Sequence, residues 1–329
     1  MNHTKKSIFY KSVVKIYLLP IVLIFFVSGI FAQDIPEEAR KSFALGQSAI
    51  EIADDSIKTG DYEIHEWGVL IGCNKNDNYF NTSRPKLRFD VKQPVIYVHS
   101  NDKIPFNLKV IFNDGKPTSV YPETKISENT TGWNFVNFEE VRKKNKETPD
   151  TLGFKKLGEI MDTLNNVDAD RLFYKNTSSN FLYYEGEMKF ENRIDTKINA
   201  MKNEVVVTNN FTYSVYNVIL STATGGYMHP VYLCGKIDEI TPGGTFTVNL
   251  IPFQSVNWIN DLTSIGFTNL EASAFSNLWG GPFLEKSNAN DWVNLIYRIP
   301  QEELEKMITL KFDPIPKKIL RALYVLIYL

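Results

Sequence analysis

The pair His65-Glu66 combines two residue types that serve in acid–base catalysis and metal binding. A zinc protease of the helical His-Glu-x-x-His class needs a second histidine four residues after the first. Position 69 is Val69, and residues 62 to 71 are rich in the β-branched and aromatic types that favour a strand. We therefore expect His65 and Glu66 to make structural hydrogen bonds, with a catalytic role for the pair as the alternative. The sequence does not decide whether the chain is an enzyme.

Three histidines follow the first 32 residues: His65, His99 and His229. With Glu66 or Glu185 they would make a set of imidazoles and a carboxylate of the kind that holds Zn²⁺. Nothing in their spacing requires this, because they are far apart along the chain. No cofactor is predicted, and a divalent metal on these histidines is the alternative to three independent structural side chains.

The chain has two cysteines, Cys73 and Cys234. In an oxidising compartment they could form one disulfide, and separate buried thiols are the equal alternative. Neither has the Cys-x-x-Cys spacing of a redox or zinc site, and neither has a nearby histidine to activate it as a nucleophile. The Gly-x-Ser-x-Gly sequence of serine hydrolases is also absent.

Aromatic residues make up 13% of the chain, and some of them could form a stacking platform for sugars. The candidates are Trp133, Tyr183 and Tyr184. Trp133 follows a glycine in a polar stretch and is expected to be the most exposed. Most of the other aromatic side chains are expected in the core.

The first 32 residues have the three parts of a secretory signal: four lysines, an apolar run at residues 16 to 27, and small residues before a cleavage point at Ala32. We expect export through the inner membrane to the periplasm, the outer surface or the medium. Membrane attachment is expected only if this signal is left uncleaved.

The remaining chain has 32 basic and 38 acidic residues, a net charge of −6. This balance gives no basic surface for nucleic acid, so we expect no nucleic-acid binding.

The rest of the chain divides by composition into three regions. Residues 33–60 are a polar lead-in, residues 61–255 contain short apolar strands separated by Gly, Pro and Asn, and residues 256–329 mix helical and strand patterns. A further boundary near residue 150 would split the strand region in two. Alternation at residues 106–112, followed by Asn113-Asp114-Gly115, predicts a hairpin with residues 118–121. The predicted fold is mainly β, an antiparallel β-sandwich of Ig-like or jelly-roll-like type, with an α+β C-terminal portion.

Several short segments occur together in the order of a known family. They are His-Glu-Trp-Gly at 65–68, Lys-x-Pro-Val-Ile-Tyr at 92–97, Phe-Leu-Tyr-Tyr-x-Gly at 181–186, a Glu-Ala helix with a late Trp at 271–279, and Asp-Pro-x-Pro at 313–316. In these segments the chain resembles a family of exported bacterial proteins for which no activity is established. The likeness spans nearly all of residues 62 to 325 and departs from the pattern at Leu70. It implies export and carries over no catalytic residues.

From these observations we expect an envelope-associated or secreted binding or structural module, with a polysaccharide or an envelope protein as its partner. The alternative is an extracellular hydrolase, metal-dependent or not, that uses His65 and Glu66.

Overall fold

The computed structural model describes residues 58–72, 87–139, 155–224, 231–252, 258–284 and 293–329. Residues Ile57–Leu329 form one compact unit. The expected signal and almost all of the lead-in segment lie outside the described residues. Within the described residues the chain is mainly β with a minority of helices, and helices and strands mix in the C-terminal portion, so the predicted fold class is confirmed.

The strands are β1 (Thr59–Gly72), β2 (Leu87–Ser100), β3 (Phe106–Phe112), β4 (Gly115–Tyr121), β5 (Thr130–Phe138), β6 (Leu172–Tyr174), β7 (Thr177–Ser179), β8 (Leu182–Phe190), β9 (Ile194–Asn199), β10 (Glu204–Asn209), β11 (Val215–Thr224), β12 (Val231–Ile240), β13 (Thr245–Asn249), β14 (Ile251–Pro252), β15 (Asn294–Ile299), β16 (Ile308–Asp313) and β17 (Ile315–Tyr328). The helices are α1 (Lys155–Asn165), α2 (Trp258–Ser264), α3 (Asn269–Leu284) and α4 (Gln301–Met307), with one 3₁₀ turn at Ala200–Lys202.

Nine strands form the largest sheet, in the order β14-β12-β11-β15-β17-β1-β2-β8-β4. The central pair β1 and β17 is parallel, and the other neighbours are antiparallel. Two smaller sheets have the orders β13-β10-β9 and β16-β3-β5-β6-β7. The C-terminal region therefore supplies two strands to the middle of the largest sheet.

Each face of the largest sheet buries its own apolar core. On one face the core lies against the two smaller sheets, which makes a β-sandwich. On the other face the core is closed by α1, α2 and α3. Because β1 is central and covered on both faces, side chains of both parities along it are buried.

Strand β1 keeps its alternation through a bulge in its pairing with β2. Ile64 points to the sandwich core and Trp67 to the helix-covered core, as a period of two requires. The register between β1 and β2 then shifts between Trp67 and Val69. A Cβ on Gly68 would lie 3.0 Å from the Pro94 Cα, so at this bulge a side chain fits only if the neighbouring backbone shifts by a few tenths of an ångström.

The hairpin predicted around Asn113-Asp114-Gly115 is wrong, although both strands exist. β3 pairs with β5 and β16, whereas β4 pairs with β8 at the edge of the largest sheet. The turn therefore carries the chain from one sheet to another. The Asn113 amide donates to the Met307 carbonyl at 3.0 Å, so this turn is held by the residue that precedes β16.

No helix among the described residues is long and apolar enough to cross a membrane.

Candidate functional site

Strand pairing brings two of the three candidate histidines together. His99 on β2 lies opposite Glu63 on β1, and His65 lies opposite Tyr97. His65 and His99 are therefore diagonal neighbours on the same face of the sheet. Their ring centroids are 4.6 Å apart, on the face that the helices cover.

Helix α3 places a carboxylate between the two imidazoles. The Glu271 Oε1 lies 3.0 Å from the His65 Nδ1 and 2.9 Å from the His99 Nε2, and the Oε2 lies 2.9 Å from the same His65 nitrogen. The Thr268 amide donates to Glu271 Oε2 at 2.8 Å, and the Glu271 amide donates to the Thr268 hydroxyl at 3.2 Å. This reciprocal pair is a capping box, so the start of α3 holds the carboxylate in place.

The cluster stabilises the ionised form of its carboxylate. Burial of Glu271 by itself raises the pKa, but the hydrogen bonds from His65 and His99 outweigh it and lower the pKa to about 2. For His99, burial lowers the pKa, and the hydrogen bond with Glu271 more than reverses this, so the pKa of that imidazole is raised. A buried anion therefore lies between the two imidazoles and favours the charged form of His99.

The second ring nitrogen of His65 has no hydrogen-bond partner among the described atoms. The side chain is 6% exposed, so this nitrogen is closed off from bulk solvent. A carboxylate oxygen of Glu63 lies 3.8 Å from this Nε2, beyond hydrogen-bond distance. The ring of Phe267 packs beside the imidazole, with centroids 5.5 Å apart.

A groove with a volume of about 1180 Å³ opens beside this cluster. His99 lines it and is 26% exposed at its side chain, so it connects the buried cluster with the groove. The groove runs between the start of β1, the end of β2, the segment after α1 and the exposed Leu270 at the start of α3.

Polar groups dominate the lining of the groove. Its carboxamides are Asn101, Asn165, Asn166 and Asn180. Its carboxylates are Asp61, Glu63, Glu139, Asp168 and Asp170. Lys103 and Arg171 also line it and pair with Asp170 and Glu139, so acidic groups outnumber basic ones.

Glu66 lies on the opposite face from His65, so the two do not form one catalytic pair. Its Oε2 accepts a hydrogen bond from the Arg321 Nε, and its Oε1 accepts one from the Tyr184 hydroxyl at 2.5 Å. Arg321 also donates to the Ile308 carbonyl at 2.6 Å. Glu66 is therefore part of a buried ion pair inside the sandwich core.

The proposed aromatic platform does not exist at the residues chosen for it. Trp133 is fully buried and donates to the Pro122 carbonyl at 2.7 Å, because Gly132-Trp133 belongs to β5 rather than to an exposed loop. Tyr183 and Tyr184 are also buried, on opposite faces of the largest sheet. The expectation that Trp133 is exposed was wrong.

The remaining candidates lie away from the cluster. Glu185 accepts from the Tyr183 hydroxyl at 2.8 Å and pairs with Lys92 at 3.6 Å. Cys234 is buried and has no disulfide partner among the described residues, and burial raises the pKa of its thiol to about 11. His229 and Cys73 lie outside the described residues, so a disulfide between the two cysteines stays a prediction.

Glu271 is the site residue that the sequence reasoning missed. Its signal was local: Thr268-x-x-Glu271 before an apolar run is the pattern of a capping box. That pattern predicts a helix start and gives no reason to connect Glu271 with two strands about 170 and 206 residues earlier.

No known family model matches the chain, and no curated protein matches it. Among solved structures, the chain is similar to the yeast delta-COP-I mu-homology domain complexed with a Dsl1 WxWxV peptide. The TM-score is 0.34 at 9% sequence identity, and the match covers 81% of this chain and 98% of that chain. A similarity at this level assigns the chain to no family.

Proposed function

We propose that this protein is an exported binding module whose groove beside His99 holds a segment of a neutral polysaccharide. The observation that carries the proposal is the polar groove of about 1180 Å³ in the helix-covered part of the molecule. Pockets for small ligands measure roughly 300–1,000 Å³ and are mainly apolar. This groove is larger and more polar, which suits several units of a hydrated polymer.

Carboxamide and carboxylate groups match the chemistry of sugar hydroxyls. Each hydroxyl both donates and accepts a hydrogen bond, and a carboxamide does the same with its two ends. Asn101 and Asn166 are exposed in the groove, and the Asn101 amide donates to Asp61 at 3.2 Å. These groups are fixed on a strand end and on the turn after α1, so they need little ordering to bind.

The charge of the groove argues for a neutral polymer. Five carboxylates line it against one lysine and one arginine. An anionic polysaccharide or a nucleic acid would meet like charges there, which costs affinity. The chain after residue 32 adds no net positive charge, since it carries 32 basic and 38 acidic residues.

A peptide is the less favoured occupant. Peptide grooves usually bury apolar anchor side chains in pockets. Here Leu270 is the one exposed apolar side chain among the lining residues, and Tyr62 and Val167 are buried beneath the surface. The experiment must therefore distinguish binding of a protein or peptide from binding of a polysaccharide.

Export belongs to the same proposal. The lysine-rich start, the apolar run and the small residues ending at Ala32 support secretion, and so does the resemblance to exported bacterial proteins. The polymer would then be a component of the cell envelope or of the surroundings.

A hydrolase acting on the same polymer is the second candidate, because the cluster of His65, His99 and Glu271 adjoins the groove. A buried carboxylate that orients an imidazole is an arrangement that supports general-base chemistry. Glu66 has no part in it, since it lies on the other face of β1.

The test is calorimetric titration of the full chain with a neutral β-glucan, a xylan and a mannan, with polygalacturonate and a peptide library as separate arms. We expect at least one neutral polysaccharide to bind. The double variant Asn101→Ala, Asn166→Ala should bind it about tenfold more weakly, because each lost hydrogen bond contributes about 0.5–1.5 kcal/mol. Asn277→Ala, at an exposed position of α3 outside the groove, is the matched control and should bind as the unchanged protein does.

Binding of the peptide arm or polygalacturonate alone would overturn the proposal. So would polysaccharide binding that the groove variant leaves unchanged. New reducing ends released from the bound polymer, and lost in His99→Ala, would replace the binding module with the hydrolase.

A further inference from the structure

We propose that His65, His99 and Glu271 form a site for one divalent transition-metal ion of the zinc class. The metal site can be tested without the polysaccharide, because the cluster is buried and His99 is its single member that lines the groove. It uses two of the three histidines that the sequence offered as an alternative metal set, His65 and His99, together with the Glu271 carboxylate.

The three ligand atoms lie close together. His65 Nδ1, His99 Nε2 and one Glu271 oxygen all lie within 4.8 Å of one another. Oε1 is the shared oxygen, at 3.0 and 2.9 Å from the two nitrogens. Ligands at about 2.0–2.1 Å from a tetrahedral ion lie roughly 3.3 Å apart, so each of these two oxygen–nitrogen distances would open by a few tenths of an ångström to admit the ion.

The two ring nitrogens of His65 have different surroundings. Nδ1 lies 2.9 Å from a Glu271 oxygen, whereas Nε2 lies 3.8 Å from the nearest Glu63 oxygen and has no hydrogen-bond partner among the described atoms. A neutral imidazole has one N–H and one lone pair, so an N–H on Nδ1 leaves the lone pair of the buried Nε2 without a donor. With the N–H on Nε2, the Nδ1 lone pair faces the Glu271 carboxylate, and a cation between these two atoms would bind both.

A cation on Nδ1 satisfies both ends of the ring. The single proton of His65 then resides on Nε2, the buried nitrogen that has no partner among the described atoms, and it faces Glu63. Histidines that bind metals commonly donate their other N–H to a carboxylate in this way. Glu63 is 39% exposed at its side chain, so it has room to approach by the needed distance.

The capping box prepares the third ligand. Glu271 Oε2 is held by the Thr268 amide, and this leaves Oε1 directed at the two imidazoles. Metal-binding carboxylates are typically oriented by such hydrogen bonds. The carboxylate is fully buried, so its charge is not dispersed by solvent.

The composition of the site selects the class of ion. Two imidazoles and one carboxylate suit zinc and its transition-metal neighbours, whereas Ca²⁺ and Mg²⁺ prefer oxygen ligands. Three protein ligands leave one position of a tetrahedral ion open. Of the three ligands, His99 is the one that lines the groove, so the open position is accessible from there.

The experiment is a titration of the full chain, stripped with EDTA, with Zn²⁺ in competition with a chromophoric chelator. We expect one equivalent to bind, and we expect Co²⁺ in the same site to give the visible absorption of a tetrahedral ion. His99→Ala should weaken zinc binding at least about 100-fold, because losing a ligand costs no less than losing an outer partner. Since His99 is only partly buried, this variant should keep its fold, which far-UV circular dichroism checks.

His229→Ala is the matched control, since it removes a histidine and leaves His65, His99 and Glu271 unchanged. Zinc binding within about threefold of the unchanged protein is expected for it. Three results would overturn the site. The first is that the unchanged protein binds zinc no more tightly than His99→Ala does. The others are that His229→Ala loses as much zinc affinity as His99→Ala, or that Glu271→Gln still binds zinc tightly. A polysaccharide that binds in EDTA would leave the groove proposal standing while the metal site fails.

Discussion

The buried ion pair of Glu66 and Arg321 gives the sharpest test of how the His-Glu-Trp-Gly segment works. The side chains are 3% and 1% exposed, and the Arg321 Nε donates to Glu66 Oε2. Arg321 Nη1 also donates to the Ile308 carbonyl, and Nη2 has no hydrogen-bond partner among the described atoms. If Glu66 is structural, as this geometry argues, its loss must appear in stability rather than in binding.

The loss of unfolding free energy depends on which buried charge is left without its partner. Glu66→Gln removes the anion and leaves a buried guanidinium without its counter-charge, which costs about 3–5 kcal/mol. Changing both residues to Leu and Met removes both charges but leaves the Tyr184 hydroxyl without its acceptor, at a cost of about 1–3 kcal/mol. Adding Tyr184→Phe should reduce the total to about 0.5–1.5 kcal/mol, the cost of the hydrogen bond that the buried Ile308 carbonyl loses with Arg321.

Urea unfolding of the full chain, followed by tryptophan fluorescence, measures these free energies. The single variant must be less stable than the double, and the double less stable than the triple, which is the reverse of additive behaviour. Two outcomes would refute the reasoning. One is a cost below about 1 kcal/mol for Glu66→Gln, and the other is a double variant that loses the sum of the two single changes.

Two further predictions concern packing and the free thiol. Gly68→Ala should destabilise the protein by about 1–3 kcal/mol, because the new Cβ would lie 3.0 Å from the Pro94 Cα. Gly280→Ala in α3 is the control and should be neutral or slightly stabilising, because the nearest neighbour of its new Cβ is 3.8 Å away. Equal stability of the two variants in urea would contradict this account. In the Cys73→Ser variant, Cys234 should react with a thiol reagent at pH 8 only slowly, since a pKa raised by burial to about 11 leaves about one thiolate in a thousand. The labelling rate should rise about tenfold per pH unit. The stability that the protonated thiol contributes should be complete below about pH 9 and should be lost as the pH approaches 11. Rapid labelling at pH 8 would show that the thiol is accessible.

The strands were predictable from sequence because each leaves a local signal. The β-branched residues around Trp67 and the alternation from Phe106 to Phe112 mark β1 and β3 without any knowledge of partners. Pairing depends on distant segments. The turn at Asn113-Asp114-Gly115 has the local chemistry of a hairpin, yet β3 finds its partners in β5 and β16. Turn residues therefore predict a reversal of chain direction, but they do not predict which strands pair.

The site was half predictable for the same reason. His65 and His99 attract notice by residue type, but only the register of β1 against β2 makes them diagonal neighbours. Glu271 looks like an ordinary capping residue, and its contact with them depends on where α3 lies on the sheet. Trp133 shows the opposite error: a glycine and polar neighbours indicated a loop, whereas Gly132 is needed because a Cβ there would lie 2.2 Å from the Leu108 carbonyl oxygen.

The alternation of β1 explains how four consecutive residues serve two parts of the molecule. His65 faces α3 and the groove side, Glu66 faces the sandwich core, and Trp67 returns to the helix side against Phe275. Gly68 then permits the bulge that shifts the register. Because adjacent residues point in opposite directions, changes at His65 should weaken zinc binding at the proposed site, and changes at Glu66 should alter stability. A change at Glu66 that abolished metal binding while leaving the unfolding free energy intact would contradict this division of roles.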